Sequence, residues 1–93
     1  MKKLNTMNKT WTLEEVEKKV FEIVKSEKQL DDSFTTTTPL ENVGLDSLAL
    51  VRILVNIDQN LGVWLEGGAL EPENLEDVKN LAICVNQAIS ETA

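Results

Sequence analysis

The sequence predicts an all-α domain, an antiparallel bundle of three long helices and one short one, with a long loop between helices 1 and 2. Three observations carry that prediction. Apolar residues recur at three- and four-residue spacing in three separate segments, and residues suited to capping a helix stand just before each of them. Nowhere does an alternation of apolar and polar residues with period two persist over a convincing length.

The first helix begins near Leu13. Thr12 and Glu15 form a T-x-x-E capping box, and Trp11 and Val16 occupy the two positions of a hydrophobic staple around it. Leu13, Val16, Val20, Ile23 and Val24 make one apolar stripe, while Glu14, Glu17, Lys18, Lys19 and Glu22 fall mostly on the other side. The helix is expected to end near Glu27. From Lys28 to Leu45 no period survives, and the run Thr35 to Thr38 leads into Pro39, which disfavours helix in the residue before it. Loops this long inside a small domain are functional or are pinned by their own apolar residues, here Phe34, Leu40, Val43 and Leu45. The threonine run is read as a solvated stretch.

Asp46 is suited to N-cap the second helix, and Gly62 to end it in a left-handed conformation. Leu50, Val51, Leu54, Ile57 and Leu61 form its expected main stripe, with Leu48, Ile53 and Val55 outside that stripe. Such a helix is either buried on several sides or offers one exposed apolar strip to a partner. The segment from Val63 to Gly68 reads as a turn-rich connection. Pro72 can open a short helical turn through Leu75, where its missing N–H costs little. Asp77 caps the last helix, whose stripe is Val78, Leu81, Ala82, Val85 and Ile89.

Ninety-three residues leave room for one domain and one modest core. At 42% hydrophobic and 27% charged, the chain is too apolar for a disordered segment and too interrupted by charge for a membrane span. Sixteen acidic against nine basic side chains leave a formal charge of −7, which repels nucleic acid and anionic lipid and favours basic partners. The complete lack of histidine removes the usual neutral-pH general base, and with a single cysteine it rules out a Cys/His zinc site. A Ser-His-Asp triad cannot be built. Residues 1–11 read as a flexible tail without the apolar run of a secretory signal, which places the protein in the cytoplasm.

One serine stands out. Ser47 directly follows the N-cap aspartate, so it projects from the first turn of a helix at the end of a long loop, where an enzyme can reach it. A phosphodiester on its hydroxyl would lie near unpaired backbone N–H groups and the positive end of the helix dipole. The plainer reading is that Asp-Ser is ordinary capping chemistry and Ser47 only fills the first turn.

Gly44-Leu45-Asp46-Ser47-Leu48 resembles the attachment motif of acyl carrier and peptidyl carrier proteins. The likeness runs over about residues 12 to 90: Pro39-Leu40 in the loop, the helix from Ser47 to Asn60, Leu61-Gly62-Val63, and Pro72-Glu73-Asn74-Leu75 before the final helix. It implies a four-helix acyl-carrier-like bundle over residues 12–91 that is not itself an enzyme. It further implies a 4'-phosphopantetheine arm, transferred from coenzyme A to Ser47 by a phosphopantetheinyl transferase with magnesium. Acyl or aminoacyl cargo would be held on that arm as a thioester. An acyl- or aminoacyl-loading enzyme and downstream biosynthetic enzymes would then be the partners of a monomeric carrier.

Carried over by position, Asp46 would orient the attachment site and assist the transferase's metal, and Leu48 and Val51 would flank the serine as docking contacts, with Arg52 beside them. Capping for Asp46 and core packing for the two apolar residues are the competing roles. Ala49 and Arg52 stand where the fatty-acid branch is often acidic, and Asp58 is the only carboxylate between Ser47 and Leu61. Together with Gly67-Gly68 and the Pro72 segment, this looks more like a stand-alone carrier of aminoacyl or polyketide pathways. The competing function from another class is a helical interaction module without a prosthetic group.

The remaining conspicuous residues have plain readings. Cys84, beside the last stripe, is a packing residue, Trp64 covers an edge of the core, and Glu71, Glu73, Glu76 and Asp77 form a solvated acidic face without the spacing of a calcium loop.

Overall fold

The computed structural model describes residues 11–92, so all of the expected tail except Trp11 lies outside the described residues. Helix α1 spans Leu13–Lys28, α2 spans Ser47–Leu61 and α3 spans Val78–Thr92. The expected short helix is a single 3-10 turn, Pro72–Leu75, and two more such turns occur at Leu40–Val43 and Gly67–Leu70. Both α2 and α3 pack against α1, and the Pro72–Leu75 turn packs on α3. No helix among the described residues is long and apolar enough to cross a membrane.

The start of α1 is built as its sequence dictates. Glu15 N–H donates to Thr12 Oγ1 and Thr12 N–H donates to Glu15 Oε1, closing the capping box. Val16 is fully buried, and Trp11 packs half-buried against the core. At the other end Gln29 turns into the left-handed region at φ 53°, with its N–H bonded back to Ser26 and that of Leu30 to Lys25. A glycine is the more usual residue there.

The long loop is part of the core. Phe34 and Leu40 are buried, Val43 and Leu45 half-buried against the same cluster. Phe34 stacks on Phe21 of α1 at 5.2 Å, and Lys25 sits over the Phe21 ring while its ammonium pairs with Asp32. In the same stretch Ser33 donates two hydrogen bonds to Asp31, which hold that carboxyl below the usual range.

Two backbone bonds stitch the loop to the start of α3. Leu40 N–H donates to Glu76 O at 2.9 Å, and Lys79 N–H donates to Thr36 O at 3.0 Å. The threonine run is therefore more than a solvated stretch. Thr35 N–H bonds to Thr38 Oγ1, folding a turn that offers the Thr36 carbonyl to an N–H in the first turn of α3, where the helix itself supplies no acceptor.

The core stripe of α2 differs in phase from the expected one. Ala49, Ile53, Leu54, Ile57 and Leu61 face inward, whereas Leu48, Val51 and Val55 are exposed and Leu50 is half-buried. The start of the helix, Leu48 to Val51, is apolar all round, so the periodicity there gives the element but not its rotation. What decides the rotation is packing against α1. Gly62 then takes φ 73°, its N–H bonded to Asp58 O, and ends the helix as its sequence suggests.

Trp64 corrects a second expectation. It is 47% exposed and lies outside the core cluster, while its neighbours Val63 and Leu65 are buried. In an extended stretch successive side chains point to opposite sides, so burying both neighbours turns the tryptophan outward.

Helix α3 follows its predicted stripe. Val78, Leu81, Ala82 and Val85 are buried, with Ile89 half-buried against them. Asp77 Oδ1 accepts from Asn80 N–H and from the Asn80 side-chain amide, both at 2.8 Å. Among the described residues, no three acidic or sulfur side chains converge as metal ligands.

Cys84 is buried, and desolvation pushes its thiol above the ordinary range, with Glu91 acting in the same direction. Since the thiolate is the nucleophile, native protein should react with iodoacetamide at pH 8 at least about tenfold more slowly than protein in denaturant. Equal rates in the two states would contradict the burial.

Candidate functional site

The site is the junction of the long loop with α2. The 3-10 turn Leu40–Val43 runs into Gly44, which takes φ 72°, a left-handed conformation strained for any residue with a Cβ. Leu45 is half-buried and anchors the strand of chain that follows. Asp46 is extended and caps α2, its Oδ1 accepting from Ala49 N–H at 2.8 Å and its carbonyl from Leu50 N–H at 2.9 Å. Ser47 is exposed at the first helical position.

One of the four orphan N–H groups of this helix end, that of Ala49, is thereby satisfied, while Leu50 N–H makes the first regular bond of the helix. The N–H groups of Ser47 and Leu48 make no hydrogen bond within the described residues. They stand beside the serine hydroxyl at the positive end of the helix dipole. A phosphate ester on Ser47 Oγ would meet these two donors, so the residues present fit a phosphate-linked group.

Asp46 performs its capping role with one oxygen, and Oδ2 makes no hydrogen bond or ion pair within the described residues. The cap and the charge can therefore be separated by substitution. Asp46→Ala should lower stability by about 1 kcal/mol, whereas Asp46→Asn, which keeps an acceptor, should stay within a few tenths of wild type. Urea unfolding measures both, and equal losses in the two variants would show that the charge, not the cap, stabilises α2.

Leu48 is 60% and Val51 50% exposed, so neither is a core residue, and Val55 continues the same strip along α2. Arg52 is also exposed, its Nη1 lying 3.5 Å from Glu27 Oε2 at the end of α1. Ala49 is turned inward and buried. The five residues Asp46, Ser47, Leu48, Val51 and Arg52 thus share one exposed end of α2.

Lys28 had no place in the sequence reading. Its Nζ donates to Gly44 O at 3.0 Å, tying the last residue of α1 to the turn before the serine. A lysine at a helix C-terminus is an ordinary partner of the helix dipole, so its type and position carried no signal of this second contact.

A cleft of about 180 Å³ opens between α1 and α2, lined by Lys19, Glu22, Ser26, Glu27, Asn56 and Asn60 together with Ile23. It begins about two and a half turns along α2 from Ser47. All of its lining residues except Ile23 are polar or charged, unlike the predominantly apolar lining that would store an alkyl chain.

The family model for the phosphopantetheine attachment site matches residues 18–83, well over half of the chain, from the middle of α1 into α3. No curated protein and no solved structure matches it. The match and the fold together define a carrier domain, a non-catalytic helical scaffold. The chain belongs to the phosphopantetheine attachment site family, and its prosthetic group is 4'-phosphopantetheine. Carrier domains of this family are substrates of phosphopantetheinyl transferases and serve biosynthetic enzymes.

Proposed function

We propose that Ser47 is the attachment point, and that the chain presents acyl or aminoacyl cargo to the enzymes of a dedicated secondary-metabolite pathway. The observation that carries the reading is the exposed Ser47 hydroxyl beside two unpaired backbone N–H groups, on a helix end held by the Asp46 cap.

The protein's own residues have limited tasks. Ser47 Oγ would give up its proton and bond to the pantetheine-side phosphorus of coenzyme A, becoming the ester oxygen of the phosphodiester, while the pyrophosphate bond breaks and adenosine 3',5'-bisphosphate leaves. Asp46 holds the serine at the first turn through its cap, and in this reading its second carboxylate oxygen helps the transferase's magnesium. When bound, the group supplies a thiol at the end of a flexible arm, on which cargo rides as a thioester. Tethering then replaces diffusion by a high effective concentration at each docked enzyme.

Leu48, Val51 and Arg52 form the docking surface in this reading. With Asp58 the only carboxylate of α2, recognition rests more on apolar contact than on the acidic stripe typical of the fatty-acid branch. That difference, with Gly67-Gly68 and the Pro72–Leu75 turn, supports an aminoacyl or polyketide carrier. Loading by amino-acid-adenylating enzymes, compared with loading by malonyl transferases, separates the two. Monomeric action in the cytoplasm belongs to the same reading.

The test is the intact mass of initially unmodified protein after incubation with coenzyme A, magnesium and a broad-specificity phosphopantetheinyl transferase. Addition of a single phosphopantetheine is expected. No addition, while a control carrier is modified in parallel, would overturn the reading.

A further inference from the structure

The last turn of α1 reaches the chain on both sides of Ser47. Lys28 Nζ donates to the carbonyl of Gly44, three residues before the serine, at 3.0 Å and across 16 residues of sequence. Glu27, its neighbour, meets Arg52, five residues after the serine, at 3.5 Å and across 25 residues. We propose that Lys28 is a positioning residue for modification of Ser47, pinning the Gly44 carbonyl and thereby setting the path by which the chain enters α2. The inference rests on the reading of Ser47 as the attachment point.

Between the Leu40–Val43 turn and the Asp46 cap, the lysine bond is the only hydrogen bond to a distant part of the chain among the described residues. Val43 and Leu45 pack against the core there, but apolar contact is non-directional and leaves the peptide planes free to rotate. A hydrogen bond to the Gly44 carbonyl restrains that rotation at the left-handed residue, where the chain changes direction. Glu27 and Arg52 hold the helix on the other side, so Ser47 lies between two ties to one rigid element. Lys28 touches neither Ser47 nor the docking strip in the hydrogen bonds and ion pairs of the structure, so its effect acts through the loop.

A transferase must bind the loop in one arrangement, and loosening it lowers the fraction of carrier that is ready to bind. Apparent affinity falls by that fraction while the chemical step after binding is unchanged. An exposed charge-assisted contact corresponds to at most about a fivefold change in the equilibrium between ready and loosened loop, and the ready fraction falls by no more than that factor. Lys28→Met, which keeps the apolar stem and removes the donor, should therefore raise the transferase KM for the carrier by up to about fivefold and leave kcat unchanged. Lys28→Arg, which keeps a cationic donor, should recover most of the loss.

Amide exchange in the unmodified carrier, followed by NMR without transferase, supplies the second readout. In Lys28→Met the amides of Ala49 and Leu50, which are bonded to Asp46 and so report how firmly the loop enters α2, should exchange up to about fivefold faster, with those of Leu81 to Val85 in α3 unchanged. A raised KM with unchanged loop exchange would make Lys28 a direct transferase contact and overturn the proposal. Faster loop exchange with an unchanged KM would make it a purely structural residue, with the same consequence. Should wild type itself accept no group, the Ser47 reading falls and this inference falls with it.

Discussion

Ser47→Ala should leave a fully folded domain that accepts no phosphopantetheine. The loss is complete rather than partial because the hydroxyl oxygen becomes an atom of the new bond, and no neighbouring group can substitute for it. The residues that follow Ser47 along α2 are Leu48, Ala49, Leu50 and Val51, none with a hydroxyl. The fold should survive because Ser47 is exposed and the cap comes from Asp46, so the substitution removes no buried contact. Alanine at a first-turn position is also a good helix former, and the change in stability should lie within about 0.5 kcal/mol. Intact mass and circular dichroism on the same sample check both halves. An interaction module whose Asp-Ser pair is only a cap would instead show the variant and wild type alike, neither modified.

Leu40→Ala should produce a large loss of stability for a substitution in a loop. Leu40 is 1% exposed, although it comes from a four-residue 3-10 turn rather than a long helix. Truncating a buried leucine removes its transfer energy and leaves a cavity, together about 2–5 kcal/mol. A domain this small has roughly 5–15 kcal/mol in all. Melting should therefore drop by about 10 °C or more, since each kcal/mol shifts a domain of this size by about 4–8 °C. Glu41→Ala, at the exposed next position, should fall within about 0.5 kcal/mol of wild type. A Leu40→Ala variant as stable as Glu41→Ala would show that the loop is a surface strap and not part of the core.

The features legible in the sequence are those set by residues close together along the chain. The capping box of Thr12 and Glu15 and the caps at Asp46 and Asp77 each act across three residues, and all three caps form as their spacing implies. The stripes of α1 and α3 were equally readable, because polar residues on the opposite faces mark which side is dry. In the first turn of α2 that contrast is missing. The run Leu48-Ala49-Leu50-Val51 is apolar on every side, and small Ala49 gave no sign of being the inward residue. Trp64 was misread because size suggested burial, whereas the buried pair Val63 and Leu65 on either side carried the period-two signal that turns it outward.

The candidate site divides along the same line. Ser47 and Asp46 are adjacent, and their motif, cap and helix end could be read together. Lys28 and Gly44, Glu27 and Arg52, and Leu40 and Glu76 meet only because the helices and the loop pack as they do. No spacing rule connects residues so far apart, and exposed lysines and glutamates are common enough to carry no warning of a partner.

The central claim is that the arm sits on Ser47, and peptide mapping of modified wild-type protein tests it most directly. Trypsin cuts after Lys28 and Arg52 with no lysine or arginine between, so residues 29–52 leave as one peptide holding Ser33, Thr35 to Thr38 and Ser47. Fragmentation should place the whole added mass on Ser47, and on no other hydroxyl of that peptide. Added mass on Ser33, on the threonine run or outside residues 29–52 would contradict the assignment, however efficiently the protein was modified.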